Sequence, residues 1–499
     1  MAVETELKLH IAPEHLERLR RHSFLKQISS GRAVTRALRN VYFDTPELSL
    51  HAHAMALRLR RAGNRWLQTL KGGGGMEAGL HSRNEWETAV AGEVLDLPAL
   101  KAAGGKLPSG AGKHLQPIFS TDFSRFVRQV QYGGAEIELC VDSGEIRAGN
   151  KSRPISELEL ELKSGEPRQL FALALELLQR VPLQIELFSK AEYGYRLYLG
   201  SEQAVVKAGF PSLHKTQDTS SALKSMVAAC LMHVQANVQG AMTGGEAEYL
   251  HQVRVGLRRL RVVLAMAKSW RRDSELDALR GQANELGERL GVARDWDVFV
   301  TQLLLPMREQ FPNHPGLEAV MRISEARRQD CHARTRTCLG SSDLPRLMLR
   351  MGAWLQNDYW RADAGEAVAL GEFGVKTLRK RAREVARHGK RIANGAPEEL
   401  HALRIACKKL RYSGEMLRPL FKAGATRHYL EAMSGLQNAL GVLNDIATAR
   451  RLLADGHLAG DAATQDLMHD WLDRDHAQSL MRLGRAWKRF AGQRPFWEA

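Results

Sequence analysis

Cysteine is scarce in this chain of 499 residues. Its five copies, Cys140, Cys230, Cys331, Cys338 and Cys407, are too few and too scattered for a disulfide scaffold. Cys331 and Cys338 lack the close pairing of a zinc knuckle, so the thiols read as buried or idle and suit a reducing compartment. Aromatic residues make up only 6% of the chain and are not interleaved with its basic helices, which argues against stacking on single-stranded nucleic acid. Zinc-finger spacing and a basic region with heptads are both missing, so no specific nucleic-acid partner is expected. Long apolar runs are missing too. The longest stretch without charge, between Lys224 and Glu246, carries His233, Gln235, Asn237 and Gln239, and reads as a buried or amphipathic helix instead of a membrane span. The opening MAVETELKLHI has neither the basic nor the apolar region of a signal peptide. A soluble, cytoplasmic protein with no membrane partner is expected. The glycines supply no phosphate loop. Gly72 to Gly75 is not followed by Gly-Lys-Ser/Thr, and Gly112-Lys113 has Leu107 and His114 where such a loop needs glycine and a hydroxyl.

What the chain does have is positive charge, 72 Lys+Arg against 56 Asp+Glu, for a net +16. That balance favours an anionic partner. Residues 1–200 carry 27 basic and 23 acidic residues, a net +4, and the remainder a net +12. The hydrophobic pattern changes at the same place. Up to about residue 200 it has period two, with strands predicted at Val3–His10, Arg36–Phe43, Met55–Arg61, Trp66–Lys71, Asn84–Val90, Arg125–Gln131, Glu136–Val141 and Ile155–Lys163. Turns are expected at Asp44-Thr45-Pro46, Ala62-Gly63-Asn64, Gly72 to Gly75, Gly133-Gly134 and Ser143-Gly144, and one helix after Pro167. From about residue 219 the spacing is helical to the end. The fold class is therefore α+β in two domains: an antiparallel β barrel over 1–200 with flanking helices, a linker over 201–218, and an all-α bundle over 219–499.

The polar positions of the strands are dense in charge of both signs. Glu4, Glu6 and Lys8 share a face, as do Arg58 and Arg60, Arg83, Glu85 and Glu87, Glu136 and Glu138, and Glu157, Glu159 and Glu161. On one strand such a face would simply meet water. Across five strands it calls for another account, because carboxylates at alternate positions repel one another unless cations sit beside them. A closed barrel turns these faces into a charged lumen. Carboxylates there suit Mg²⁺ or Mn²⁺, and Arg and Lys suit phosphate oxygens. Together they have the composition of a phosphoryl-transfer site.

The ordered set Glu4-Thr5-Glu6-Leu7-Lys8, Tyr42-Phe43-Asp44-Thr45, Leu57-Arg58-Leu59-Arg60, Thr69-Leu70-Lys71, Ser156-Glu157-Leu158-Glu159-Leu160 and Ser189-Lys190-Ala191-Glu192 resembles the CYTH, or triphosphate tunnel metalloenzyme, superfamily. The resemblance implies an eight-stranded antiparallel tunnel around a triphosphate. Glu4, Glu6, Glu157 and Glu159, joined by Asp142, would be its metal carboxylates. Lys8, Arg58, Arg60, Lys71, Arg83, Arg125 and Lys190 would hold the phosphates, with Arg39 a further candidate and Glu161 on the same face as the metal glutamates. The implied cofactor is Mg²⁺ or Mn²⁺, and the implied reaction is metal-assisted attack of water on a terminal phosphorus.

The helical half repeats itself 150 residues apart. His251, Arg254, Arg258, Arg259, Leu260 and Arg261 recur as His401, Arg404, Lys408, Lys409, Leu410 and Arg411, and Leu290, Gly291, Val292 and Asp295 as Leu440, Gly441, Val442 and Asp445. Two sub-bundles follow, about 219–365 and 366–499. His251, Arg254, Arg258 and Arg261 fall within about 80° on a helix, and His401, Arg404, Lys408 and Arg411 do the same. Neither stripe holds an acid, so each would be relieved by an anion with regularly spaced charge. A third basic surface runs from Lys376 through Arg379, Lys380, Arg383 and Arg387 to Lys390, and Asp295 and Asp445 read as helix N-caps. This half resembles the CHAD domain, which implies an all-helical bundle with a basic channel binding inorganic polyphosphate. The chain as a whole resembles bacterial inorganic triphosphatases of the CYTH-CHAD type. The reading is thus a hydrolase acting on inorganic triphosphate, bound through its helical half to polyphosphate and to the granules that hold it. A weakly active polyphosphate-binding protein, an organic triphosphatase and an adenylate cyclase are the alternatives.

Overall fold

The computed structural model describes every residue except 1, 202, 244–246, 362–367, 393–394, 455–457, 459–460 and 499. The expected border between the two helical repeats, at 365 and 366, lies outside the described residues. Contacts divide the chain into two compact units. The first comprises Met1–Val206, Gln235–Gly240 and Ser341–Tyr359, and the second Lys207–Val234, Ala241–Gly340 and Trp360–Ala499.

Among the described residues the first unit contains nine strands: β1 (Ala2–His10), β2 (Val34–Asp44), β3 (Ala56–Ala62), β4 (Arg65–Glu77), β5 (Leu80–Val90), β6 (Gln116–Tyr132), β7 (Ala135–Ala148), β8 (Lys151–Ser164) and the two-residue β9 (Gln184–Ile185). The order β5-β4-β3-β2-β6-β7-β8-β1 closes through a β1–β5 pairing, so eight antiparallel strands form a ring, and β9 takes up the far end of β1. Each of the eight strands expected from alternation is present. Closure gives each of the eight strands a partner on both sides.

The barrel is inside out by the standard of a soluble core. Glu159 and Glu161 line the lumen and Glu157 shares their face of β8, while Leu158 and Leu160 face outward together with Leu7 and Leu9 of β1. Those four leucines are fully buried beneath Leu170, Leu173 and Leu177 of the helix Arg168–Leu178. Leu349, from the helix Asp343–Leu355, joins the same cluster. Helices flanking the barrel therefore supply the apolar cover that its interior cannot. Removing this much aliphatic surface from water is worth about 25 cal/mol per Å² and is the main term holding the unit together.

Two expected turns are instead strand. At Gly72 to Gly75 the chain stays in β4 and its register against β5 shifts, a bulge made possible by φ of +66° at Gly73 and +80° at Gly74. Ser143-Gly144 lies within β7, where Gly144 pairs with Phe123 of β6. The reversal comes later, at Gly149 with φ +58°. Gly144 is there for space. A Cβ would stand 2.2 Å from the Asp122 carbonyl oxygen and 2.4 Å from the Phe123 Cα.

The second unit is helical. Its duplicated segments sit on Ala247–Trp270 and Pro397–Leu417, which pack against each other, and Arg258 Nη1 donates to Tyr412 Oη at 3.1 Å between them. Ser274–Arg289 and Val292–Val298 correspond to the single helix Ala423–Ala454. The N-cap reading of Asp295 and Asp445 is not what forms. Leu290 (φ −76°, ψ −4°) and Gly291 (φ −75°, ψ −39°) keep right-handed helical angles, so Asp295 falls inside the next turn, and Asp445 lies well within a helix. No helix among the described residues is long and apolar enough to cross a membrane.

Gly144→Ala should lower stability by about 3 kcal/mol, since the obstructing atoms are backbone and cannot move aside. Chemical denaturation of the full chain measures it, and a loss below about 0.5 kcal/mol would show that β6 and β7 are not held this close.

Candidate functional site

The lumen of the barrel is a cavity of about 600 Å³. Lys8, Arg58, Arg60, Lys71, Arg83, Arg125 and Lys190 all line it, so every expected phosphate-holding residue is brought together. Of the expected metal carboxylates, Glu4, Glu6 and Glu159 line it as well. Asp142 and Glu157 lie behind this wall, but their carboxylate oxygens come within 4.8 Å of one from Glu159, a buried acidic cluster able to hold a cation. Arg39 is the exception. It is exposed on the outer side of β2, because the inward set on that strand is the alternate one, Leu38, Asn40, Tyr42 and Asp44.

Pairing explains how so much charge is tolerated. Lys190 Nζ sits among the acidic cluster, 2.7 Å from Asp142 and 3.1 Å from Glu159, and it also contacts Glu157. Arg125 holds Asp142 in a two-pronged bond, Nε to Oδ1 at 2.8 Å and Nη2 to Oδ2 at 2.6 Å, and reaches Glu159 as well. Lys8 joins Glu6 at 3.0 Å and Glu159, and Lys71 joins Glu4. Burial would raise the carboxyl of Glu159, but Lys190, Lys8 and Arg125 hold it well below the usual range. Glu157, deeper and with fewer cations, is pushed up by burial to about 8.

Local structure places each of these groups. Lys190 opens the helix Lys190–Leu199, whose N-cap Ser189 accepts from the Glu192 N–H at 3.2 Å. That helix is fastened to the β2 turn by Tyr195, whose hydroxyl donates to Asp44 at 2.8 Å. Asp44 also accepts the backbone N–H groups of Thr45, Leu50 and His51. The Tyr-Phe-Asp-Thr motif thus sends Tyr42 into the lumen and uses Asp44 as a structural anchor.

Asn40, Thr121 and Lys163 were not singled out from sequence. Asn40 is fully buried, donates to Thr121 at 2.8 Å and accepts from Arg60 Nε at 3.0 Å. Burial, with Arg58 and Arg125 nearby, lowers Arg60 to about 10. A guanidinium held by an amide and crowded by two others is a place where an arriving anion gains most. Glu161 stands directly opposite Glu6 of β1 and Glu138 of β7, a row of three like charges across three strands. Lys163 answers Glu161 at 2.5 Å and Glu138 at 3.7 Å. Only the register reveals that row. Its donors, like those of Glu4 and Glu159 beside it, are all oxygen, the kind that hard divalent cations take.

The second unit gathers the basic stripes at one cavity of about 330 Å³. Arg254, Arg258, Arg261, Arg404 and Lys408 line it, with Asp295 and Asn444. Burial lowers Lys408 to about 7, helped by Arg258, Arg404 and Arg254 and opposed by Asp445. Arg254 is lowered to about 10 by burial and Arg258. The remaining stripe members are placed elsewhere. His251 and His401 are exposed, and Arg411 donates to Glu415 at 2.6 Å and Gln437 at 3.0 Å.

The chain thus carries a closed antiparallel barrel with an ion-paired lumen and a helical unit that converges cations on a cavity. The CYTH domain model matches residues 2–195 and the CHAD domain model residues 225–454. The chain is a CYTH domain followed by a CHAD domain. It is similar to an inorganic triphosphatase of Haemophilus influenzae, at 36% identity over 214 residues. That match covers 41% of this chain and 56% of the relative, so the chain spans little more than half of that protein's length. The crystal structure of the CHAD domain from the plant Ricinus communis superposes with a TM-score of 0.52 at 27% identity, over 59% of this chain and 98% of that one.

Lys190→Met keeps the length of the side chain but removes the cation that touches all three buried carboxyl groups. A stability loss of about 3–5 kcal/mol is expected in denaturant titration of the full chain. A loss within error of zero would mean that Lys190 is not what neutralises the cluster.

Proposed function

We propose that the barrel hydrolyses inorganic triphosphate to pyrophosphate and phosphate. The observation that carries the reading is the single cavity of about 600 Å³ in which carboxylates fit for a divalent cation and phosphate-binding cations face one another. CYTH tunnel enzymes are metal-dependent, and the buried acidic cluster agrees with that requirement. Mg²⁺ or Mn²⁺ held by Glu4, Glu6, Glu159 and Glu161, with Asp142 and Glu157 behind them, would supply charge neutralisation at the phosphate oxygens.

The chain's own side chains do the rest. Arg58, Arg60 and Arg83 take the substrate's oxygens, Arg60 from a position already oriented by Asn40. Lys8, Lys71, Arg125 and Lys190 exchange part of their internal pairing for the bound phosphates and stabilise charge developing on the transferring group. Asp142 keeps the Arg125 guanidinium aimed during that exchange. Water adds to the terminal phosphorus, the bridging P–O bond breaks, and pyrophosphate leaves.

We propose further that the helical cavity binds inorganic polyphosphate. Arg254, Arg258, Arg404 and Lys408 converge there, and burial together with the neighbouring guanidinium groups lowers Arg254, Arg404 and Lys408, a crowding of cations that a bound polyanion would relieve.

Glu4→Gln and Glu159→Gln should each lower metal-dependent phosphate release from tripolyphosphate at least 100-fold while leaving polyphosphate binding unchanged. A screen of tripolyphosphate, ATP, thiamine triphosphate and long polyphosphate with Mg²⁺ and Mn²⁺ reads this out. Turnover persisting in both variants would remove the metal assignment.

For the helical cavity, replacing Arg254, Arg258, Arg404 and Lys408 with alanine should weaken long-chain polyphosphate by more than tenfold. In the parent chain the bound polyanion raises the lowered Lys408, so binding takes up a proton. Affinity should therefore fall as pH rises through about 7, by at most about tenfold per pH unit, and Lys408→Arg should flatten the profile. Titration calorimetry decides, and equal affinity in the fourfold variant would end the channel reading.

A further inference from the structure

The two helical repeats differ where the cationic cavity ends. A second cavity of about 420 Å³ adjoins it, and Arg404 and Asn444 line both. Its remaining walls are mainly aliphatic, Pro397, Leu400, Leu440, Leu443 and Ala447, with one carboxylate, Glu398. His401 and His476 contribute rings, and Arg450 is already answered by Asp473 at 2.5 Å. Counting back 150 residues gives Arg294 in place of Asn444 and Asp297 in place of Ala447. In that first repeat Asp297 accepts from Arg328 Nε at 2.8 Å and lies 2.8 Å from His332 Nε2. A charged cluster thus occupies one repeat at the position where the other keeps an alanine beside open apolar volume.

An inorganic chain has no apolar part, so leucine walls beside its site give it nothing. They suit a ligand that carries a flat, weakly polar group on the end of a phosphate chain. Resting on the reading of the cationic cavity as a phosphate site, we propose that the paired cavities bind a nucleoside polyphosphate. Its phosphates lie on Arg254, Arg258, Arg404 and Lys408, and its base lies against Leu440, Leu443 and Ala447. Cavities of 300–1,000 Å³ are the usual size for such ligands, and mostly apolar walls with a few placed polar groups are their usual lining. The Asn444 side-chain amide at the junction offers both a donor and an acceptor, the pairing that the edge of a base presents. The imidazole of His401 supplies a plane for stacking.

The test uses the full chain with the barrel site disabled by Arg58→Ala and Lys71→Ala. Calorimetry compares ATP, tripolyphosphate and long-chain polyphosphate. Tripolyphosphate carries at least as much negative charge as ATP, so tighter binding of ATP reports the nucleoside. ATP is expected to bind at least tenfold more tightly than tripolyphosphate. Ala447→Trp, at an exposed position that tolerates bulk, should remove that advantage and leave tripolyphosphate within twofold. Saturation-transfer NMR without that substitution should show adenine protons in contact with protein, a readout independent of how the variant folds. ATP no tighter than tripolyphosphate, or equal weakening of both by Ala447→Trp, overturns the proposal. If long polyphosphate binds in either of those cases, only the nucleoside site falls. If it does not bind, the polyphosphate reading falls with it.

Discussion

Closing a sheet with its charged face inward is the constraint on which the first unit depends. An open sheet could leave that face to water, where ion pairs contribute little. Closure removes it from bulk water and makes every unpaired carboxylate costly. The consequences run through the unit. Lys190 must sit among Asp142, Glu157 and Glu159, and Arg125 must grip Asp142 with two bonds. The helix bearing Lys190 must in turn be tied down, which Tyr195 and Asp44 accomplish. The apolar face, turned outward, has to be covered by helices, one of them drawn from residues 343–355.

The same constraint links stability to chemistry. Internal ion pairs hold the lumen together when no substrate is present, and they are also the groups a phosphate chain would engage. Such a site is organised in advance, which would leave little reorganisation for the reaction proposed for it. Arg60 shows the other side of this arrangement. Held by Asn40 and crowded by Arg58 and Arg125, it keeps a positive charge only partly answered within the barrel.

The helical unit solves a related problem with less compensation. Duplication laid down two basic stripes, and helix packing turned Arg254, Arg258, Arg261, Arg404 and Lys408 onto one cavity. The duplicates then diverged. Asp297 with Arg328 and His332 occupies one copy, and Ala447 beside buried leucines the other. Symmetric ancestry therefore left an asymmetric pair of surfaces.

Alternation and charge made the eight strands, the two-part organisation and nearly all the lumen cations legible in the sequence, because a period of two states which residues share a face and a closed barrel gives that face only one place to go. The internal repeat was equally legible, since identical spacing needs no structure to be seen. Other features were not. The row of Glu6, Glu161 and Glu138 depends on strand register, which composition does not encode. Arg39 and Asn40 exchange roles through a one-residue choice of face. Gly72 to Gly75 and Ser143-Gly144 look like turns, but one is a bulge and the other a close approach of two strands. His251, His401 and Arg411 share their stripes on a helical wheel yet leave the cavity, because a wheel describes one helix and the cavity is made by two. Local chemistry was written in the chain, and what only the tertiary structure decided was which of those groups meet, since contacts between residues 150 apart are set by packing.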